Sequence, residues 1–316
     1  MAKILVTGGT GFVGSNLILK LAEQNNEIIS FDNYSRNSFS NEVLKEKNVE
    51  LIEGDITNKE DLKKIPNDID TVYHLAAING TKFFYEIPEK VLQVNLGGIL
   101  NIMEWLKKTE TKRIFFASSS EVYGFPSKFP TPETLTLSIP DPTNPRFSYS
   151  SSKITGEIII INFARKYEID YTIGRLHNAY GPKMGFEHVI PEFIRKAVKN
   201  EKFLVNGDGT ESRSFCYISD IVEEIKLVSE KSEGENQIFN IGNSTETTIN
   251  QLIQELEKIH GDKISPVYTE FNNPGTKRRV PDISKINELG FSPKISLKEG
   301  LKETYDWYKS YHEKTS

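Results

Sequence analysis

Residues 4–14 read ILVTGGTGFVG, and the spacing of Gly8, Gly11 and Gly14 in that stretch decides the fold. The residues before Gly8 are apolar and strand-like, whereas residues 12–24 carry apolar side chains at helical spacing. A strand that passes into a helix through such glycines makes a tight turn. Its backbone amides can approach a pyrophosphate at the positive end of the helix. Asp32 closes the next strand-like run, EIISFD, 18 residues after Gly14. That is where a dinucleotide-binding unit places an acceptor for the adenosine ribose hydroxyls. A carboxylate there repels a 2′-phosphate, which favours NAD over NADP, while Arg36 nearby keeps NADP open.

Working outward, strand-like runs alternate with helical ones: VELIEGD, TVYHLAA, residues 88–108, RIFFASS, residues 149–167 and DYTIGRL. This rhythm predicts an α/β fold with a parallel sheet covered by helices. After about residue 176 the alternation loosens, and Gly181-Pro182, NGDGTES and NNPGTKRR mark turns between shorter elements. A smaller, discontinuous second domain is expected there. Residues 215–245 read as strand-helix-strand and return to the first domain.

The chain has 316 residues, long enough for about two domains and a substantial core. Its net charge of −5, with 37% hydrophobic and 26% charged residues, argues against nucleic-acid and acidic-membrane partners. Cys216 is the sole cysteine, so neither a disulfide framework nor a cysteine zinc cluster can form. No signal-peptide pattern or membrane-length apolar run is present, which makes a cytoplasmic location the expectation. His177 and His188 are read as packing or backbone-bonding residues, His74 as structural, and no metal site is expected.

YSSSK places Tyr149 and Lys153 at i and i+4, on one face of a helix. An ammonium beside a phenol favours phenolate, and a phenol that ordinarily titrates near pH ~10 needs such help to act as a base. In ASSSEVYG, residues 117–124, a carboxylate stands between three serines and a tyrosine.

Together these motifs resemble the extended short-chain dehydrogenase/reductase family, specifically its NAD-dependent nucleotide-sugar epimerases, dehydratases and decarboxylases. The resemblance spans almost the whole chain and is carried by TGGTGFVG, FDN, GDI, HLAA, VNLGG, ASSSEVYG, YSSSK, RLHNAYGP, RSFCYISD and RRVPDISK, in the family's order. It implies a Rossmann-type doubly wound sheet in residues 1–176 plus about 215–245. Nucleotide-sugar binding would then fall to residues 177–214 and 246–316.

The resemblance further implies that Gly8, Gly11, Phe12, Val13 and Gly14 hold the pyrophosphate of NAD, and that Asp32 with Asn33 holds its ribose. Asp55 and Ile56 would flank adenine, Leu75, Ala76 and Ala77 would line the dinucleotide, and Asn95 would sit behind it. Lys153 would bond the nicotinamide ribose as well as tune Tyr149, and Ser119 matches the family's catalytic hydroxyl. Arg213, with Arg278 or Arg279, would reach the substrate diphosphate, with Asn178 and Ser120 beside the substrate.

In this scheme Tyr149 takes the hydroxyl proton at sugar carbon 4, leaving a 4-keto sugar. That ketone acidifies the hydrogen on carbon 5 and turns a carboxylate on carbon 5 into a β-keto acid. Glu121 resembles both the carbon-5 base of 4,6-dehydratases and the glutamate of UDP-glucuronate decarboxylases, whereas simple 4-epimerases need no carboxylate there. Ser120 stands where thymidine-sugar dehydratases carry Asp, and Arg146 and Arg279 are similar to the decarboxylase branch. A 4-epimerase, a 4-keto-sugar reductase and a catalytically silent NAD sensor are the rival readings. The apolar faces of residues 88–108 and 148–167, with Val91, Leu92, Val94, Ile154, Ile158 and Ile161, predict a homodimer through those helices.

Overall fold

The structure is a computed structural model and describes residues 1–36, 46–270 and 275–315. The first half of the chain alternates strand and helix. Strands β1 (Lys3–Thr7), β2 (Glu27–Asp32), β3 (Val49–Glu53), β4 (Thr71–His74), β5 (Arg113–Ser119) and β6 (Asp170–Leu176) are interleaved with α1 (Phe12–Ala22), α2 (Lys59–Leu62), α3 (Thr81–Glu86), α4 (Pro88–Leu106) and α5 (Ser148–Tyr167). The short helices α2 and α3, and a 3₁₀ turn at Ser120–Tyr123, were not legible as periodic patterns, because one turn carries no period.

Beyond β6 run β7 (Ala179–Tyr180), α6 (Val189–Val198), β8 (Phe203–Asn206), β9 (Ser212–Arg213), β10 (Cys216–Tyr217), α7 (Ile218–Glu230) and β11 (Gln237–Ile241). They are followed by β12 (Thr247–Thr248), α8 (Ile249–His260), β13 (Pro266–Thr269), β14 (Arg278–Arg279), α9 (Ser284–Glu288) and α10 (Leu297–Thr315). Seven strands form one sheet in the order β11-β6-β5-β4-β1-β2-β3, every pair parallel. β11 therefore returns from late in the chain to extend the sheet beside β6. The remaining strands make small sheets: β10-β7, β12-β9-β14 and β13-β8.

A parallel sheet needs both faces covered, and alternation along the strands supplies them. On β1, Ile4 and Val6 join a core with Leu17 and Leu21 of α1 and Ile221 and Ile225 of α7. Leu5 points the other way, into a core with Ile102 of α4 and Ile160 of α5. The strand order reverses between β1 and β4, which opens a crevice at their carboxyl ends. Among the described residues no helix is long and apolar enough to cross a membrane.

Candidate active site

The crevice begins at the glycine turn. Gly8 has φ +72, and a Cβ on it would stand 2.8 Å from the backbone of Ala76, so the loops after β1 and β4 meet there closer than a side chain allows. A Cβ on Gly14 would lie 2.1 Å from the Gly8 carbonyl oxygen. Gly11 caps α1 from an extended conformation and makes no side-chain cap, which leaves the first-turn amides beside Phe12 and Val13 without a side-chain acceptor. Thr10 Oγ1 is buried there without a partner. A glycine cradle, uncapped amides and an orphaned hydroxyl form a donor set that fits a pyrophosphate.

Asp32 stands at the end of β2 and accepts from the Thr10 amide at 3.0 Å and the Tyr34 amide at 2.8 Å, which ties the glycine turn to the ribose side. Asn33 donates to Asp55 at 3.2 Å. Burial opposes ionisation of Asp55, but the Thr57 amide and hydroxyl and the Asn33 amide outweigh it and hold the carboxyl below its ordinary value. Ile56 packs over Gly98 of α4, where a Cβ would come within 2.2 Å of it. The amides of Leu75 and Ala76 donate to the Thr7 carbonyl and hydroxyl at 3.1 and 3.4 Å, and Ala77 continues that loop. Asn95 acts as a clamp: it accepts from the Ile78 amide at 2.8 Å and donates to the Ile78 carbonyl at 3.3 Å and to Ser152 at 3.0 Å.

Tyr149 and Lys153 share the buried face of α5. Tyr149 stacks on Phe84 with ring centroids 4.8 Å apart, and Lys153 Nζ lies 5.7 Å from the Tyr149 ring centroid. Lys153 donates to the Ala117 carbonyl at 2.7 Å. Burial pushes Lys153 down to about 7, opposed by the Glu157 carboxylate. Burial likewise pushes the Tyr149 phenol up, against the Ser119 hydrogen bond, with Glu121 adding to the rise and Arg36 opposing it. In the chain by itself burial dominates both groups, because it penalises the charged form of each.

The carboxylate of Glu121 projects from the 3₁₀ turn that follows Ser119. Arg279 donates to it at 2.7 Å, Arg146 lies 3.7 Å away, and Arg213 adds to the same field. Burial opposes ionisation of Glu121, but the Arg279, Arg146 and Arg213 guanidiniums hold it below the ordinary glutamate value. Arg213 is itself pushed down to about 10, first by burial and then by Arg279. Three guanidiniums around one carboxylate leave the region cationic. Arg278, the neighbour of Arg279 on β14, points away: it grips both oxygens of Glu246 at 2.7 Å and lies 4.7 Å over Phe129. Ser120 is buried in the 3₁₀ turn, and Asn178 (φ +33) keeps a buried Nδ2 without a partner.

A buried network behind these groups went unread in the sequence. Glu157 accepts from Ser118 at 2.6 Å and from Arg175 at 2.9 and 2.8 Å, and Arg175 also donates to Tyr123 at 3.0 Å. Tyr123 donates to Asn240 at 2.8 Å, and Asn240 donates to the carbonyls of Thr131 and Asp282 at 2.9 Å each. The available signal was spacing, since Glu157 lies four residues after Lys153 on the same helical face. Among the described residues no cluster of His, Cys, Asp and Glu could hold a metal, and His74 spends its Nδ1 on Thr7 at 2.8 Å.

A crevice at the strand reversal, with Ser119, Tyr149 and Lys153 brought near one another beside it, marks a Rossmann-type fold of the dinucleotide-binding kind. Residues 4–242 match the NAD dependent epimerase/dehydratase family, and the chain belongs to that family, whose cofactor is NAD. UDP-glucuronic acid decarboxylase 3 of Arabidopsis thaliana is 35% identical over 306 residues, covering 95% of this chain and 86% of the relative. The structure of UDP-glucose 4-epimerase from Thermotoga maritima with UDP-glucose superposes with a TM-score of 0.89 at 34% identity, covering 98% of this chain and 99% of that one. That of UDP-glucuronic acid 4-epimerase from Bacillus cereus with UDP-glucuronic acid and NAD gives 0.88 at 28% identity, covering 98% and 99%.

Proposed function

We propose that this enzyme oxidises carbon 4 of a UDP-linked uronic acid and releases the carboxylate on carbon 5 as carbon dioxide. The observation that carries this reading is the Glu121 carboxylate set among Arg279, Arg146 and Arg213, beside Ser119 and Tyr149. Planar guanidiniums suit anions with two oxygens, and here they outnumber the carboxylate they surround. The likeness to a UDP-glucuronic acid decarboxylase and to a uronate-bound 4-epimerase supports the same substrate class.

NAD held by the glycine turn and Asp32 would supply a hydride acceptor for carbon 4 and the hydride for its later reduction. Tyr149 takes the proton of the 4-hydroxyl, with Ser119 sharing the hydrogen bond, and Lys153 holds the ribose side. The resulting 4-ketone makes the carbon-5 carboxylate a β-keto acid. The bond between carbon 5 and the carboxyl carbon breaks, carbon dioxide leaves, the electron pair passes into the carbon-4 ketone as an enolate, and carbon 5 takes a proton in place of the carboxylate. This route needs no base at carbon 5. That suits a Glu121 locked onto Arg279 and held below its ordinary value, since such a carboxylate is a weak proton acceptor. Glu121 then orients the arginines and the sugar, and the dehydratase role for it loses ground.

Gly8, Gly11, Phe12, Val13, Gly14, Asp32 and Asn33 serve the cofactor in this reading, and Arg213, Arg279 and Asn178 serve the substrate. We assign residues 1–176 with about 215–245 to the NAD-binding unit, supported by β11 extending its sheet. Residues 177–214 and 246–316 form the nucleotide-sugar unit, supported by β9 and β14 carrying Arg213 and Arg279 in one small sheet. A 4-epimerase acting on the same uronate is the second reading, favoured by the Bacillus cereus enzyme.

Incubation with UDP-glucuronic acid should yield a UDP-pentose with release of carbon dioxide. An isomer of unchanged mass would replace this reading with the 4-epimerase, and loss of water from a neutral UDP-hexose would restore the dehydratase. Tyr149→Phe should lower turnover by at least about 10²-fold while NAD stays bound.

A further inference from the structure

Arg36 stands four residues beyond Asp32, where its sequence position left a 2′-phosphate contact open. Its guanidinium goes elsewhere. Nη1 donates to the Asn79 carbonyl, the guanidinium carbon stands 5.5 Å over the Phe83 ring, and Nη2 lies 3.9 Å from the Cβ position of both Gly80 and Gly185. One side chain thus ties the loop after β2 to the loop between β4 and α3, with the segment between β7 and α6 beside it. Phe83 packs on the cluster of Phe84, Val91 and Tyr149. The guanidinium thus stands over a ring that packs on the cluster containing Tyr149.

We propose that Arg36 is a positioning residue for the first chemical step: it ties the loop after β2 to the loop before α3 beside Tyr149 and supplies a positive charge there, rather than recognising a 2′-phosphate. The proposal rests on the reading of Tyr149 as the base. The phenol is faced by Lys153 from α5, Ser119 from β5, Glu121 from the 3₁₀ turn and Arg36 from the loop after β2. Burial lowers Arg36 from its ordinary value, Tyr149 and Glu187 oppose that, and His188 lies in its field. Burial leaves Lys153 divided between charged and neutral forms near neutrality, while a guanidinium keeps its charge throughout. A second cation there opposes the rise that burial imposes on the phenol.

The test compares holoenzyme, Arg36→Gln, Arg36→Lys and Tyr149→Phe. Measured are kcat/KM for sugar oxidation against pH, the tyrosinate absorbance that each Arg36 protein loses on adding Tyr149→Phe, and dissociation constants for NAD and NADP. In Arg36→Gln the acidic limb and the Tyr149 absorbance should both move up by about one pH unit, Arg36→Lys should recover most of the shift, and the NAD-to-NADP ratio should stay put. An unmoved limb in Arg36→Gln, a shift that lysine does not rescue, or a selective loss of NADP affinity overturns the proposal. Tyr149→Phe keeps the two readings apart. An active Tyr149→Phe overturns the proposed function and with it this inference, whereas an inactive one with an unmoved Arg36→Gln profile overturns this inference alone.

Discussion

Glu121 and Arg279 lie 158 positions apart in the chain, yet one donates to the other at 2.7 Å. Each residue was legible as a candidate from its local motif, but their ion pair was not, because it is made by β14 approaching the turn after β5. The pairing has a pH signature. Glu121 is held below the ordinary glutamate value in the folded chain, so its contribution to stability is fully present above that ordinary range. It is lost as the pH falls through the lowered value. Urea unfolding of wild type and Glu121→Gln should therefore differ near neutrality and converge well below about pH 4, the ordinary range of the group. A gap that is constant with pH would mean that the carboxylate charge is not what stabilises the arginines.

At the scale of elements, α5 does two jobs with one face. Tyr149 and Lys153 face the crevice from its first turns, and Glu157, one turn further on, meets Arg175 of β6 and Ser118 of β5. Both partners of the Glu157–Arg175 pair are almost fully buried, and the pair fixes the helix against the strands that carry Ser119. Removing one partner strands a buried charge, which typically destabilises by about 3–5 kcal/mol. Glu157→Ala should show a loss of that size in urea denaturation, and a loss below about 1 kcal/mol would place the pair among weak surface bridges. The helix and its catalytic spacing were plain in the sequence. The network was not, since a mid-helix glutamate reads as solvated until the strands beside it are known.

For the whole molecule, α4 and α5 pack side by side and together expose Leu100 at 41% and Ile158 at 56%. Val91, counted with that face in the sequence, is instead buried against Phe84 and Tyr149. We expect a homodimer through the α4–α5 face, with Ile158 near its centre, because exposed apolar side chains on paired helices are what such interfaces cover. Light scattering at micromolar concentration should give twice the mass of one chain, and Ile158→Glu should halve it. A monomeric wild type would contradict the expectation.

The sequence by itself determined the sheet, the position of the crevice and the placing of Tyr149 and Lys153 on one helix face. Those follow from local rules: period 2 against period 3.6, glycines where a side chain cannot fit, and an i to i+4 pair on one helix face. Tertiary structure alone decided which way burial and neighbours move each group and which arginine turns inward. Arg278 and Arg279 are equivalent in sequence, and only the pairing of β14 with β9 sends one to Glu246 and the other to Glu121. Tyr149 and Lys153 are likewise fixed as neighbours by spacing, but their protonation is set by burial, and burial is a property of everything packed around them.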